Sequence, residues 1–114
     1  MMEDLLKRVN TIEGIEGSIL LDSDGLVISS RLPAEYGEEI TGALVADLCR
    51  VVEERMGTVG KGRFIAGYVF AGSGNFIYFQ SPRFILAVLT SASANIGAVR
   101  LALRRSAKEL LKEV

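Results

Sequence analysis

The sequence predicts an α/β (α+β) fold over a single domain, residues 1–114, built as a three-layer sandwich in which one sheet carries helices on both faces. Three observations predict it. Helical and strand periodicities follow one another in the order helix, two strands, helix, three strands, helix. The last three strands are apolar at odd and even positions alike, whereas a sheet with one wet face alternates polar and apolar. The chain is 49% hydrophobic and 24% charged, and surface scaling at this size buries roughly two-thirds of the unfolded chain's surface, enough for a core without metal or disulfide.

From Met2 to Glu13 the residues Leu5, Val9 and Ile12 recur at helical spacing with Leu6 alongside, and Gly14 is expected to stop the helix. Ser18 to Leu21 and Leu26 to Ser30 read as two strands around Asp22-Ser23-Asp24-Gly25, whose Asp-Gly pair suits a tight hairpin. Asp22 and Asp24 also open a calcium-loop reading, but the further oxygen ligands and the terminal Glu of such a loop do not follow.

Tyr36 to Met56 is free of Pro and long enough for a helix of about 31 Å, ended by Gly57. Steps of about 100° separate two apolar seams on it, one of Ile40, Leu44, Leu48 and Val51 and one of Val45, Cys49, Val52 and Met56. A chain this small cannot bury both in its own core, so one seam is predicted to be shared with a second copy in a homodimer. The Val45, Cys49, Val52 and Met56 seam is assigned to that interface. Between the seams a strip of Gly42, Ala46, Arg50 and Glu53 is expected to face outward, either as a partner surface or as the wet side of a packed helix.

Arg63 to Ala71, Asn75 to Gln80 and Phe84 to Thr90 form the three-stranded meander, punctuated by Gly72-Ser73-Gly74 and Ser81-Pro82-Arg83. The final helix, Asn95 to Val114, has Ile96, Val99, Leu103, Ala107, Leu110, Leu111 and Val114 on one stripe and Arg104, Arg105, Lys108 and Lys112 on another, with Ser93 or Asn95 to cap its start. Glu109 and Glu113 interrupt the basic row and no aromatic residues interleave it, so it reads as a solvated face and no nucleic acid is expected as a partner.

Composition narrows the chemistry. The chain has no His and one Cys, which excludes Ser-His-Asp and Cys-His nucleophile systems, an ordinary zinc site and an intrachain disulfide. Gly57-Thr58-Val59-Gly60-Lys61-Gly62 fails as a phosphate loop: Arg55 stands where the first Gly belongs, Gly62 where Ser or Thr would bind magnesium, and the order is helix to strand. Adjacent carboxylates such as Glu38 and Glu39 diverge by about 100° on a helix and cannot clamp one atom. The chain is therefore read as no enzyme, with no cofactor and no metal. No apolar run reaches the ~18 residues of a membrane span, and Glu3 and Asp4 stand where a signal peptide would be basic, so a cytoplasmic protein without membrane insertion is expected. Residues 1–57 hold 5 Lys/Arg against 12 Asp/Glu, net −7, and residues 58–114 hold 8 against 2, net +6. Such halves either lie beside each other in the fold or present two surfaces to different partners.

The hairpin Gly17-Ser18-Ile19-Leu20-Leu21-Asp22-Ser23-Asp24-Gly25, the long middle helix and the closing Ala94-Asn95-Ile96-Gly97-Ala98-Val99-Arg100, in this order and spacing, resemble the roadblock/dynein light chain family over nearly the whole chain. The resemblance implies a profilin-like fold, a five-stranded antiparallel sheet with the first and last helices on one face and the long helix on the other. It implies dimers in which middle helices pack together and third strands pair edge to edge, placing Phe64, Ala66 and Tyr68 at the interface. It also implies a non-catalytic regulator or scaffold for a small Ras-like GTPase, of the prokaryotic gliding-GTPase-regulator type, with modulation of GTP hydrolysis and with the GTPase on the paired middle helices, where the strip of Gly42, Ala46, Arg50 and Glu53 is the surface expected to meet it. A structural subunit of a motor-like or signalling assembly and a small-molecule sensory module stay open beside it.

Overall fold

The structure is a computed structural model and describes residues 2–62 and 66–106. Its elements are α1 (Met2–Asn10), β1 (Ile15–Asp22), β2 (Val27–Arg31), α2 (Glu38–Thr58), β3 (Ala66–Ala71), β4 (Gly74–Gln80), β5 (Phe84–Ser91) and α3 (Ile96–Ser106). Five strands form one sheet in the order β2-β1-β5-β4-β3, and each neighbouring pair is antiparallel. β2 and β3 are therefore the two edges.

Alternation along the strands sorts the core into two halves. Leu20, Ile77, Phe79, Leu86 and Val88 point to the face covered by Leu5, Leu6 and Val9 of α1 and Val99 and Leu103 of α3. Ile19, Leu21, Tyr78, Ile85 and Ala87 point to the other face, under Val45 and Cys49 of α2. Each fully buried aliphatic side chain contributes about 1.5–3 kcal/mol, so both layers are held chiefly by burial.

Local chemistry sets the boundaries. α1 ends at Asn10, three residues before the expected Glu13, because the Asn10 side chain leaves the helix: its Nδ2 donates to the Arg31 carbonyl at 3.0 Å and its Oδ1 accepts from Ser18 Oγ at 2.6 Å, tying α1 to β1 and β2. In the first hairpin, Asp22 Oδ1 accepts from the backbone N–H groups of Asp24 and Leu26 at 2.9 and 3.0 Å, and Gly25 takes φ +91°. The Asp22 carboxylate is thus a turn-former. α2 starts at Glu38 and runs past Gly57 to Thr58; the chain leaves the helix through Val59, whose N–H meets the Arg55 carbonyl, and then Gly60 at φ +70°. Asn95, of the two cap candidates, accepts from the Ala98 N–H through Oδ1 at 3.0 Å. Arg63, Phe64 and the stretch from Ala107 to Val114, with Lys108 and Lys112, lie outside the described residues.

Candidate functional site

The two seams of α2 end up in opposite environments. Val45 and Cys49 are 2% and 1% exposed and sit in the core against the sheet, with Val52 and Met56 half-buried beside them. Ile40 and Leu44 are 71% and 67% exposed, and Leu48 and Val51 are half-buried. The expectation that Val45, Cys49, Val52 and Met56 face a second subunit is therefore corrected for Val45 and Cys49, which are spent on the chain's own sheet, and what α2 leaves open is Ile40 and Leu44 beside half-buried Val51, since Leu48 packs on the same core as Val52 and Met56.

The physical reason is Gly42. A Cβ at this position would stand 2.9 Å from Val27 Cγ2 and 3.2 Å from Leu21 Cδ2, so the helix lies against the sheet where it has no side chain. Ala46, one turn on, touches the hairpin turn: a Cβ on Gly25 would come within 2.8 Å of the Ala46 methyl. Gly42 is buried and Ala46 half-buried, so the expected outward strip is also corrected. These two small residues bring α2 and the β1–β2 hairpin together. Glu53 is half-buried and its Oε2 accepts from Gln80 Nε2 of β4 at 2.6 Å. Of the four residues only Arg50 is exposed, and its guanidinium donates to Asp47 and, at 3.3 Å, to Glu54 on the same outer ridge. Those two carboxylates raise the Arg50 pKa further above an already high value. The clue in the sequence was the pair of small residues beside the Val45 and Cys49 seam, which mark where a helix can approach a neighbour most closely.

Cys49 is no nucleophile. Burial first, and then the charge of Glu53, push its thiol up to about 11, so it is protonated at neutral pH. The Tyr78 hydroxyl beside it is also raised, by burial and then by Cys49.

β3 offers a different kind of surface. Its backbone pairs with β4 on one side and is the open edge of the sheet on the other. The side chains of Ala66 and Tyr68 pack on the α1 and α3 core; the Tyr68 ring lies edge-on to Phe79 at 6.4 Å, with the Arg100 guanidinium 5.9 Å above it. What these residues can give a second strand is backbone hydrogen bonding. Phe64 lies outside the described residues. At the opposite edge a groove of about 580 Å³ runs beside β2, bordered by Ile28, Arg31, Pro33, Tyr36 and Glu38. Among the described residues no helix is long and apolar enough to cross a membrane.

Comparison with known proteins fits this fold. An uncharacterised protein of Methanocaldococcus jannaschii is 31% identical over 110 residues, 96% of each chain. Among solved structures, MglB of Myxococcus xanthus superposes with a TM-score of 0.89 at 18% identity, over 97% of this chain and 92% of that one. An MglB solved in a tetrameric arrangement gives 0.84 at 18%, over 96% and 84%. Profilin II of Acanthamoeba castellanii gives 0.69 at 13%, over 99% and 98%, which makes the fold profilin-like. The Roadblock/LC7 domain family matches residues 1–90, and the chain belongs to that family.

Proposed function

We propose that this protein is a non-catalytic, cytoplasmic homodimer that serves as a regulator or scaffold for a small Ras-like GTPase and modulates its GTP hydrolysis. The observation that carries the reading is the outward seam of α2, where Ile40 and Leu44 are more than two-thirds exposed in a single chain. Covering each of them on association is worth up to about 1.5–3 kcal/mol. Because Gly42 and Ala46 hold the other flank of α2 on the β1–β2 hairpin, the flank carrying Leu48 turns away from it, toward the half of the sheet that ends at the open β3 edge. Helix pairing and strand pairing then fall on the same side of the molecule and support one another. The GTPase belongs to the reading through the family and through the likeness in fold to MglB. It would meet the paired α2 ridges around Arg50, with Asp47 and Glu54 setting orientation and association rate more than affinity.

Light scattering at about 10 µM should give the mass of a dimer for the wild type and of a folded monomer for Leu44→Glu, since a buried unpaired charge is not tolerated at an interface. A monomeric wild type would sink the dimer. Calorimetry against small GTPases of the same genome, loaded with GDP or a GTP analogue, tests the partner: Arg50→Glu should weaken or slow binding while the dimer persists. A dimer that binds none of them would favour the structural-subunit reading.

A further inference from the structure

The two helix layers of this molecule carry opposite charge. α2 holds Glu38, Glu39, Asp47, Glu53 and Glu54 against Arg50 and Arg55, net −3, whereas the described residues of α3, Ile96–Ser106, hold Arg100, Arg104 and Arg105 and no acidic residue, net +3. They cover opposite faces of the sheet, so the charges cannot answer each other within one chain. The shapes match as well. On α3, Leu101 is 52% exposed, with Gly97 and Ala98 exposed in the turn before it and Arg104 and Arg105 exposed in the turn after it. On α2, exposed Ala43 has exposed Glu39 one turn before it and exposed Asp47 one turn after it. One face therefore presents an apolar knob beside cations, and the other a shallow small-residue dip between anions. Arg50 engages Asp47 through Oδ1 alone, leaving Oδ2 and the whole Glu39 carboxylate to face a cation.

We infer that copies of this protein stack face to face, α3 of one copy resting on the α2 ridge of the next, with Leu101 over Ala43 and Arg104 and Arg105 toward Glu39 and Asp47. The occupant of each face is a second copy, because each face meets its complement in charge and relief on the other side of the same molecule. The contact joins two different surfaces on opposite faces of the sheet, so successive copies stack along one direction and the assembly grows with concentration instead of stopping at a fixed number. Exposed ion pairs are individually weak and screened by salt, so the stack forms at low ionic strength and disperses at high ionic strength. It centres on the outer ridge of α2, next to Ile40 and Leu44, and it depends on charge where dimer pairing depends on apolar burial, so salt separates the two. It also covers the ridge around Arg50, so stacked copies would exclude any partner that docks there.

Sedimentation velocity of the wild type from about 10 µM to about 1 mM should show a weight-average mass that rises with concentration in about 50 mM salt and falls back to the smallest species in about 500 mM. Arg104→Glu with Arg105→Glu, and separately Glu39→Lys with Asp47→Lys, should each weaken self-association more than tenfold with the circular dichroism spectrum unchanged. Mixing the two variants should restore it, since the basic ridge of one then meets the acidic α3 of the other. A wild type whose mass is independent of salt and concentration overturns the stack. So does a mixture that fails to co-assemble; in that case pelleting of the wild type, but not of the Arg104 and Arg105 variant, with vesicles containing about 30% anionic lipid would reassign the basic face to a membrane surface. A wild type whose smallest species is a monomer counts against the proposed dimer and leaves the stacking result to be read on its own.

Discussion

The inward and outward flanks of α2 are close to equal as sequence and opposite as structure. Val45, Cys49, Val52 and Met56 form one apolar seam and Ile40, Leu44, Leu48 and Val51 another, with the same helical spacing and similar bulk. In the fold, the first lies on Ile19, Leu21 and Ile85, while Ile40 and Leu44 of the second face solvent. Hydrophobicity did not choose between them. Gly42 did, because a helix can rest closest to a sheet on the side where it carries no Cβ, and that side adjoins Val45 and Cys49. A seam's apolar character shows that it will be covered; the small residues beside it show which neighbour covers it.

Placing the same charge on each flank should separate them by the largest margin. Val45→Asp should cost about 3–5 kcal/mol and unfold a large share of the protein, because an uncompensated carboxylate would sit in the core. Leu44→Asp should leave the stability of the single chain within about 0.5 kcal/mol and act only on association. Urea denaturation at low concentration, read beside light scattering, separates the two; equal destabilisation by both would mean that the flanks are not distinct.

Gly42→Leu probes the residue that decides between them. A side chain here would push into Val27 and Leu21, and overpacking of this kind costs about 1–3 kcal/mol. Ala43→Leu, one position on and exposed, should cost nothing measurable in a thermal melt of the same chain. If Gly42→Leu melts with the wild type, α2 has room to lift off the sheet and the choice of seam rests on something else.

The smallest effect lies at Cys49. Its thiol ionises at about 11 in the fold against 9.0 for a free thiol. A group whose folded pKa is raised holds its proton longer in the native state, so the unfolded chain ionises first and stability falls as pH rises from about 9 toward about 11. The loss should be about 1 kcal/mol at pH 10, and it should vanish from the pH slope of Cys49→Ala even though that variant is less stable at every pH. The same burial predicts slow alkylation of Cys49 by a thiol reagent at pH 8, at a rate that follows unfolding.

Much of the fold was legible because period and punctuation are local. The faces of β5 came directly from alternation, Phe84, Leu86 and Val88 to one core and Ile85 and Ala87 to the other. The hairpin at Asp22 to Gly25 and the Asn95 cap were readable for the same reason: the chemistry that makes them lies within four residues. The boundary misses have tertiary causes. Asn10 ends α1 early to hold Arg31 and Ser18, partners 21 and 8 residues away, and β1 starts at Ile15 because Thr90 of β5 is there to pair with it. The expected partner strip failed similarly: Gly42 and Ala46 look like a place for another backbone to approach, and the backbone that approaches is the chain's own hairpin.

Composition and periodicity already required one sheet apolar on both faces, three helices to cover it, no histidine chemistry, and a long helix with more apolar surface than one small core can absorb. Those are properties of composition and of periods of two and 3.6, which each segment carries alone. Packing between distant segments settled which seam of α2 is hidden, that Arg50 alone of its strip stays outside, and that the acidic and basic helix layers stand back to back across the sheet. Each of these depends on contacts between residues far apart in the chain, where steric fit at a residue such as Gly42 breaks a tie between surfaces of equal hydrophobicity.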